Sequence, residues 1–453
     1  MATTPNPGKN WDPGTENGET MPSSPARIAA FEILLRVDRT DAYASELLHA
    51  PQYEALSLKD HGLATEIVMG TLRWQTVLDE QIAQYCWQKL EKLDTEVLIA
   101  LRMAAYQLQF LDRVPQRAAV HESVELVKKA KKRSAGGLVN AVLRKLVAAK
   151  PKGERPSALS AHPMWLTSRW TSEFGSSATE QICNYNQTVP EVSVRFYDAT
   201  AQPELASAGI EIAPGRLLFT ASRVKRGDIT GTAPFQDGRI AVQDEGSQLV
   251  AMVVGNGERI LDCCAAPGGK TRLIANRNPT ASITALELHD HRAQLLRKRV
   301  PEKNVQVLTA DATKFTADHL FHRVLVDAPC SGTGTLAHNP EIKWRLRPED
   351  LPDLHARQLA ILQSAMKLTA PGGRLIYATC SLEPEENARV VNEALTKDNS
   401  FRLMDCRTAL ESLRANGDLA PNQLDSLLNG PYLRTIPGVH PCDGFFAAIL
   451  EKS

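Results

Sequence analysis

The chain has 453 residues, 43% hydrophobic and 23% charged, with 52 basic and 52 acidic side chains and hence no formal net charge. This is an ordinary globular composition, long enough for two to four domains, and it excludes a global positive field as the source of nucleic-acid affinity, which must come from local basic patches. Eight cysteines, at 86, 183, 263, 264, 330, 380, 406 and 442, form no CxxC pair and no Cys/His metal spacing, and no apolar run approaches the roughly 20 residues of a membrane span; a cytoplasmic protein with no metal and no membrane partner is expected.

Met1 to Ser24, rich in Pro, Gly, Thr and Asn, lacks the apolar core of a signal peptide and is expected to be a disordered tail, residues 1–24. From Pro25 to Lys150 apolar residues recur at helical spacing, as in Ile28, Phe31, Ile33, Leu34, Leu35 and Val37 and in Val97, Leu98, Leu101, Ala104, Ala105 and Leu108. An all-helical domain of five to seven helices is predicted over 25–150. Within it, Lys128-Lys-Ala-Lys-Lys-Arg133 sets five positive charges at a helix end, and Ser134-Ala-Gly-Gly137 follows as a flexible joint. Such a run alone is a solvated helix end whose cations complement the dipole; the alternative is a phosphate-contact patch.

A helical linker is expected over 151–186, with Trp165 and Trp170 spaced for a core rather than for base stacking. A small α+β module follows over 187–236, with strands at Val192-Ser-Val-Arg-Phe196, Ile210-Glu-Ile212 and Leu217-Leu-Phe219. The last domain, 237–453, opens with a short strand at Ile240-Ala-Val242 and a helix from Ser247 to Val254, with Gln243 and Asp244 as capping residues.

The rest of the chain is organised around Ile260-Leu-Asp-Cys-Cys-Ala-Ala-Pro-Gly-Gly-Lys-Thr271, which is predicted as a buried strand, a tight turn of small residues and the first turns of a helix. Small residues let a ligand approach the backbone, and the N–H groups at the helix start can bind its polar parts. Gly269-Lys270-Thr271 could end a phosphate-binding loop, but that pattern demands glycine where this chain has Cys264. The other candidate is S-adenosylmethionine, held where a first strand meets its helix, with acids at later strand ends taking ribose and adenine.

Beyond Thr271, strands at Ser282–Leu286, Val305–Leu308, Arg323–Val326 and Arg374–Ala378 alternate with helices at His291–Val300 and Leu354–Leu368; Ala370-Pro-Gly-Gly373 is predicted as a turn, and Phe401–Met404 and Phe445–Leu450 complete the sheet. Strict alternation predicts a doubly wound, Rossmann-like α/β domain whose ligands sit beyond the carboxyl ends of its strands. Three acids, Glu287, Asp311 and Asp327, stand at successive strand ends. Singly each could be a helix cap; together they favour S-adenosylmethionine over a triphosphate, which a ring of carboxylates without metal would repel. Cys330 and Cys380 also follow strands and so face the same edge. A lone free cysteine is usually inert core, but two beside a methyl-donor site suit cytosine methylation, because carbon 5 becomes nucleophilic only after a thiolate adds to carbon 6.

Pro25-Ala-Arg-Ile-Ala-Ala-Phe-Glu-Ile-Leu35 resembles the NusB-type RNA-binding domain, as do Ala64-Thr-Glu-Ile-Val-Met-Gly-Thr-Leu-Arg-Trp74 and Ala135-Gly-Gly-Leu-Val-Asn-Ala-Val-Leu-Arg144; the resemblance implies an RNA partner. Asp262-Cys-Cys-Ala-Ala-Pro-Gly-Gly-Lys-Thr271, Asp327-Ala-Pro-Cys-Ser-Gly-Thr-Gly334 and Ala378-Thr-Cys-Ser-Leu-Glu-Pro-Glu-Glu-Asn387 resemble the RNA 5-methylcytosine methyltransferase family. With a NusB-like unit in front, the chain is similar to the members acting on small-subunit ribosomal RNA, which implies a cytidine of 16S ribosomal RNA as substrate. The resemblance implies Cys380 as nucleophile, Cys330 as the group assisting release and Asp327 as the holder of the cytosine nitrogens. It also implies a cofactor site of Cys264, Ala265, Ala266, Pro267, Gly268, Gly269, Lys270, Glu287, Asp311 and Asp327. The family often has Asp where this chain has Glu287, a longer carboxylate that can still grip a ribose diol.

Residue chemistry alone leaves open which thiol attacks. The target base must leave its stack, so a splayed-out nucleotide is expected. Arg292, Arg297, Lys298 and Arg299, or Lys343-Trp-Arg-Leu-Arg347, could guide it or could be solvated helix faces. A monomer is expected. The rivals are the same chemistry on transfer RNA, a P-loop ATPase, and a non-catalytic RNA-binding factor.

Overall fold

The computed structural model describes residues 24–149, 156–420 and 423–453; apart from Ser24, the expected N-terminal tail lies outside the described residues. Seven α-helices occupy the first part, at Pro25–Arg39, Ala44–Leu48, Leu58–Arg73, Gln75–Tyr85, Thr95–Phe110, Gln116–Lys129 and Gly136–Ala149. Their apolar stripes meet in one core that includes Ile33, Leu34, Ile67, Leu101, Ala104, Val127 and Leu143. Gly70 marks a close helix crossing: a Cβ there would lie 1.8 Å from the Tyr106 ring, whose hydroxyl donates to Glu66 at 2.6 Å. The expected joint at Ser134–Gly137 is instead a short 3-10 turn, Arg133–Ala135, leading straight into the helix that starts at Gly136. Lys131, in the left-handed region at φ 63°, makes the reversal that the glycines were expected to make.

Two further helices, Met164–Phe174 and Ser176–Asn186, pack on the C-terminal half rather than spanning space between units. Trp170 is buried with Leu336, Ile342 and Leu382, and its indole N–H donates to Glu383 at 3.1 Å, so it is core, as its spacing predicted.

A small antiparallel sheet follows, with β1 (Ser193–Phe196), β2 (Glu211–Pro214), β3 (Ala221–Arg226) and β4 (Ile240–Val242) in the order β2-β3-β1-β4. Two sequence expectations are corrected here. Leu217–Phe219 is not a strand: Leu217 and Leu218 are buried in the large unit's core, and the buried Glu245 carboxylate accepts their N–H groups, both at 2.7 Å. Ile240–Val242 pairs with β1 and completes the small sheet instead of opening the last one.

The large sheet comprises β5 (Arg259–Asp262), β6 (Ser282–Glu287), β7 (Val305–Thr309), β8 (Phe321–Asp327), β9 (Thr369–Thr379), β10 (Phe401–Met404), β11 (Leu428–Asn429), β12 (Tyr432–Thr435) and β13 (Phe445–Lys452). Its order is β11-β12-β13-β9-β8-β5-β6-β7, with β10 on β13. The run from β7 to β9 is parallel and β13 is antiparallel to β9. Neighbouring residues alternate between two buried faces: Ile260, Leu325 and Ile376 pack toward helices Glu245–Val253 and Gly269–Arg277. Leu261, Val324 and Leu375 pack toward Leu351–Leu368 and Ala388–Lys397. Both faces covered is the arrangement that makes parallel strands read as continuous apolar runs. The predicted turn Ala370–Gly373 is absorbed into β9 as a register shift against β8, with Gly372 at φ 68°.

The helical unit is docked chiefly by one segment of the large unit, with Thr76 also donating to Ser160 O at 2.7 Å. Lys343, 1% exposed, donates to the carbonyls of Arg73 at 2.9 Å and Ala161 at 2.7 Å; Trp344 donates to Leu72 O at 2.7 Å. Arg345 donates to Val37 O at 2.6 Å and Ala42 O at 2.8 Å. Positive side chains here cap carbonyls at the ends of helices. This corrects both readings of Lys343–Arg347, an RNA guide or a solvated helix face: the first three side chains of that run are committed to docking. Burial accordingly pushes the Lys343 ammonium well below the usual lysine range.

Candidate active site

The three central strands β5, β8 and β9 end side by side, and their carboxyl ends carry the three motifs. The Cys263 N–H donates to Leu325 O at 2.9 Å and the Ala328 N–H to Ala378 O at 2.8 Å, so the loops leave the sheet in register.

After β5 the backbone turns tightly. Gly268 sits at φ 111°, and a Cβ there would meet Leu296 at 2.8 Å and Val300 at 2.9 Å, so the position admits only glycine. Asp262, buried, closes the turn: it accepts the Thr271 hydroxyl at 2.7 Å and the Cys264 N–H at 3.4 Å. Burial pushes its carboxyl up to about 6, with Thr271 opposing and the Asp327 charge adding. A folded-state value above the usual carboxylate one means that its favourable contribution is complete below about pH 4 and is lost as pH rises through about 6, worth ~3 kcal/mol for a shift of ~2 units. The stability of the wild type relative to Asp262→Asn is therefore expected to fall from about pH 4 to about pH 7 in urea denaturation; a difference constant across that range contradicts it.

Lys270, on the first turn of the following helix, reaches across to Asp327 at the end of β8, Nζ to Oδ2 at 2.8 Å, and lies over the Phe445 ring at 5.0 Å. Burial pulls the ammonium down, but Asp327 and the Cys380 sulfur pull it up further, and it stays charged above the usual lysine range. A phosphate-loop lysine would be free for phosphates; this one is held by a carboxylate.

The two cysteines meet. Cys330 Sγ lies 3.2 Å from Cys380 Sγ, each just past a strand end, and both thiols are free. The contact with Cys380, then burial, pushes the Cys330 thiol well above its ordinary value. Cys263 points into the core, and Cys264, half-buried, is raised by burial and by the carboxylates of Asp262, Asp327 and Glu287, so neither is a ready nucleophile.

Glu287, 5% exposed, ends β6 and accepts the His289 N–H at 3.0 Å, with Arg292 3.7 Å away. Ala310 donates to Glu287 O at 2.9 Å, which brings the end of β7 beside it. Asp311, the next residue, accepts the N–H and hydroxyl of Thr313 at 2.9 and 2.7 Å, which hold its carboxyl below the usual range. It therefore shapes its own turn as well as standing at the rim. Asp244 caps helix Glu245–Val253 as expected, accepting the Gly246 N–H at 2.8 Å, whereas Gln243 does not cap it: its amide donates to the Ser247 hydroxyl at 3.2 Å.

Sequence reasoning missed Glu386. Fully buried, it accepts the Ser331 N–H at 2.8 Å, the Ser331 hydroxyl at 2.5 Å, the Ser381 hydroxyl at 2.5 Å and Gln358 Nε2 at 2.8 Å. One carboxylate thus ties the loop of Cys330 to the loop of Cys380. Thr379 and Asn387 support the second loop, the Asn387 amide donating to Ser381 O at 2.9 Å. The signal was the acidic run Glu383-Pro-Glu-Glu-Asn387 directly behind the Thr-Cys pair, too polar for a segment leaving a buried strand.

Away from these thiols, an open cavity of about 1000 Å³ runs between helices Gln116–Lys129 and Gly136–Ala149, lined in part by Arg117, His121, Lys128 and Arg144. In the basic run beside it Lys128 pairs with Glu125 at 2.7 Å and Lys132 with Asp94 at 3.0 Å, so part of its charge is neutralised within the protein. Among the described residues no group of three or more His, Cys, Asp or Glu is arranged to hold a metal, and no helix is long and apolar enough to cross a membrane.

Residues 249–451 match the family model described as 16S rRNA methyltransferase RsmB/F, and residues 24–148 match the NusB family. The chain is 31% identical to the Bacillus subtilis protein named "Probable ribosomal RNA small subunit methyltransferase B", over 95% of this chain and all of that one. It is 33% identical to the Pseudomonas putida protein named "Ribosomal RNA small subunit methyltransferase B", over 84% and 91% respectively. The crystal structure of PH0851 superposes with a TM-score of 0.79 at 26% identity, covering 96% of this chain and 99% of that one. A NusB-type helical unit, an open sheet with paired cysteines at its strand ends and full-length similarity of this degree coincide, and the chain belongs to the RsmB/F family of methyltransferases.

Proposed function

We propose that the chain methylates carbon 5 of a cytidine in 16S ribosomal RNA, through a covalent adduct of Cys380 with carbon 6. The observation that carries this reading is the pair of thiols 3.2 Å apart beside the Lys270–Asp327 ion pair. The names of the full-length relatives support the ribosomal substrate. The helical unit, 25–150, would hold RNA; 151–186 and the small α+β module, which ends with Ile240–Val242, would join it to the methyltransferase domain that follows.

The residues after β5 fit S-adenosylmethionine: the turn Cys264–Gly269 is drawn in tightly against Leu296 and Val300 by Gly268, and Glu287, Asp311 and Asp327 at the strand ends supply acceptors for hydroxyl and amino groups. Bound there, the cofactor supplies an electrophilic methyl group. Cys380 adds to carbon 6, and the electron pair of the 5,6 double bond passes to carbon 5, the atom that becomes methylated. Lys270 stabilises negative charge at Cys380, and Asp327 holds the base by accepting from the exocyclic amino group of cytosine. Release passes the carbon 5 proton to solvent water, the electron pair of that bond re-forms the 5,6 double bond, and the carbon–sulfur bond breaks with its pair returning to Cys380; the protonated Cys330 thiol, 3.2 Å away, assists by hydrogen-bonding the departing sulfur.

Purified unmodified 16S and transfer RNA, each offered with methyl-labelled cofactor, distinguish the substrates. Label recovered as 5-methylcytidine in 16S RNA supports the reading; label confined to transfer RNA, or appearing in neither, contradicts it.

A further inference from the structure

The helical unit is joined to the segment that follows the Cys330 loop. Its residues 42–45 are clamped on the segment that continues the Cys330 loop: the Ala44 N–H donates to buried Glu341 at 2.7 Å, Ser45 Oγ to Asn339 Oδ1 at 3.0 Å, and Arg345 holds the Ala42 carbonyl at 2.8 Å. That segment is in turn fixed to the cysteines. The Gly334 N–H donates to Cys380 O at 2.9 Å, and the Asn339 side chain donates to Thr335 Oγ1 at 3.3 Å. Tyr43 lies at the centre of the clamp, at the start of helix Ala44–Leu48, and keeps a 40% exposed aromatic side chain where its neighbours Ala44, Leu47 and Leu48 are buried. Its hydroxyl lies within electrostatic reach of Cys380, Cys330, Glu341 and Arg345; burial first, then the two thiols and Glu341, push the phenol up, so it stays neutral.

An exposed aromatic ring whose two chain neighbours are hydrogen-bonded to the segment that follows the Cys330 loop, and whose hydroxyl is within electrostatic reach of both thiols, has an evident use, because unstacked bases are held by stacking on aromatic side chains. We propose that Tyr43 contacts the substrate: its ring, supplied by the helical unit, receives the face of the cytosine drawn out of its stack, so that the active site is completed only across the two units. This rests on the cytosine reading above. It also gives the docking by Lys343, Trp344 and Arg345 a role, since that contact sets where the ring stands.

The test compares Tyr43→Ala, Tyr43→Phe and Tyr43→Trp in the full-length protein on unmodified 16S RNA. The alanine variant is expected to lose roughly 10- to 100-fold in kcat/KM for RNA. The phenylalanine and tryptophan variants are expected to stay within about threefold of wild type, with cofactor affinity and melting temperature unchanged in all three. An alanine variant as active as wild type overturns the proposal; so does an equal loss in alanine and phenylalanine variants, which would assign the effect to the hydroxyl, or a loss that follows cofactor affinity or melting. A wild type that makes no 5-methylcytidine while binding RNA overturns the cytosine reading as well, whereas an active wild type with an unaffected alanine variant overturns Tyr43 alone.

Discussion

Cys380→Ala is expected to reduce methyl transfer at least ~10⁴-fold, below the detection limit of a labelled-cofactor assay, because in the proposed mechanism Cys380 is the nucleophile that activates carbon 5. Cys263 faces the core and Cys264 is held protonated by burial and by surrounding carboxylates. Cys330 is the one thiol in contact with Cys380, and that contact, with burial, raises it well above its ordinary value. Cofactor binding and melting temperature are expected to match wild type, since the lost atom is one half-buried sulfur. Activity retained at a tenth of wild type would show that another nucleophile serves.

The second large effect is expected at Glu386. Replacing it with alanine leaves the Ser331 N–H, two hydroxyls and the Gln358 amide without their acceptor in a buried pocket. Leaving a buried donor without its acceptor costs about 1–3 kcal/mol, and several are orphaned together here. The loops of Cys330 and Cys380 lose their tie at the same time, so kcat is expected to fall at least ~100-fold. Glu386→Gln keeps an oxygen acceptor and the volume, and is expected to recover most of the stability but only part of kcat, as its amide nitrogen faces a donor. Urea denaturation and single-turnover rates separate the two effects. A Glu386→Ala variant with wild-type stability would refute the hub.

What the sequence disclosed was what lies close along the chain. The parallel strands were legible because both sheet faces are buried, so Ile260–Leu261 and Val324–Val326 read as unbroken apolar runs. The cysteines and carboxylates at their ends followed from position alone, and the structure brings Cys330, Cys380, Lys270 and Asp327 together. Relations between distant segments were not legible. Leu217–Phe219 looked like a strand because it is apolar, but Leu217 and Leu218 are buried by the large core, with their N–H groups on Glu245, and Phe219 is exposed. Lys343–Arg345 looked like a basic guide, and only the carbonyls of Arg73 and Val37, 270 and 308 residues away in sequence, show the charges to be caps. Tyr43 likewise carried no signal until Glu341 and Asn339 were found beside it.

The division of labour between the thiols is tested most directly by incubating Cys330→Ala with cofactor and unmodified 16S RNA and resolving the products on a denaturing gel. A protein–RNA adduct that accumulates in this variant, and disappears when Cys380 is also replaced, is the predicted result. An adduct formed by Cys380→Ala and absent from Cys330→Ala would contradict it, reversing the roles of the two residues.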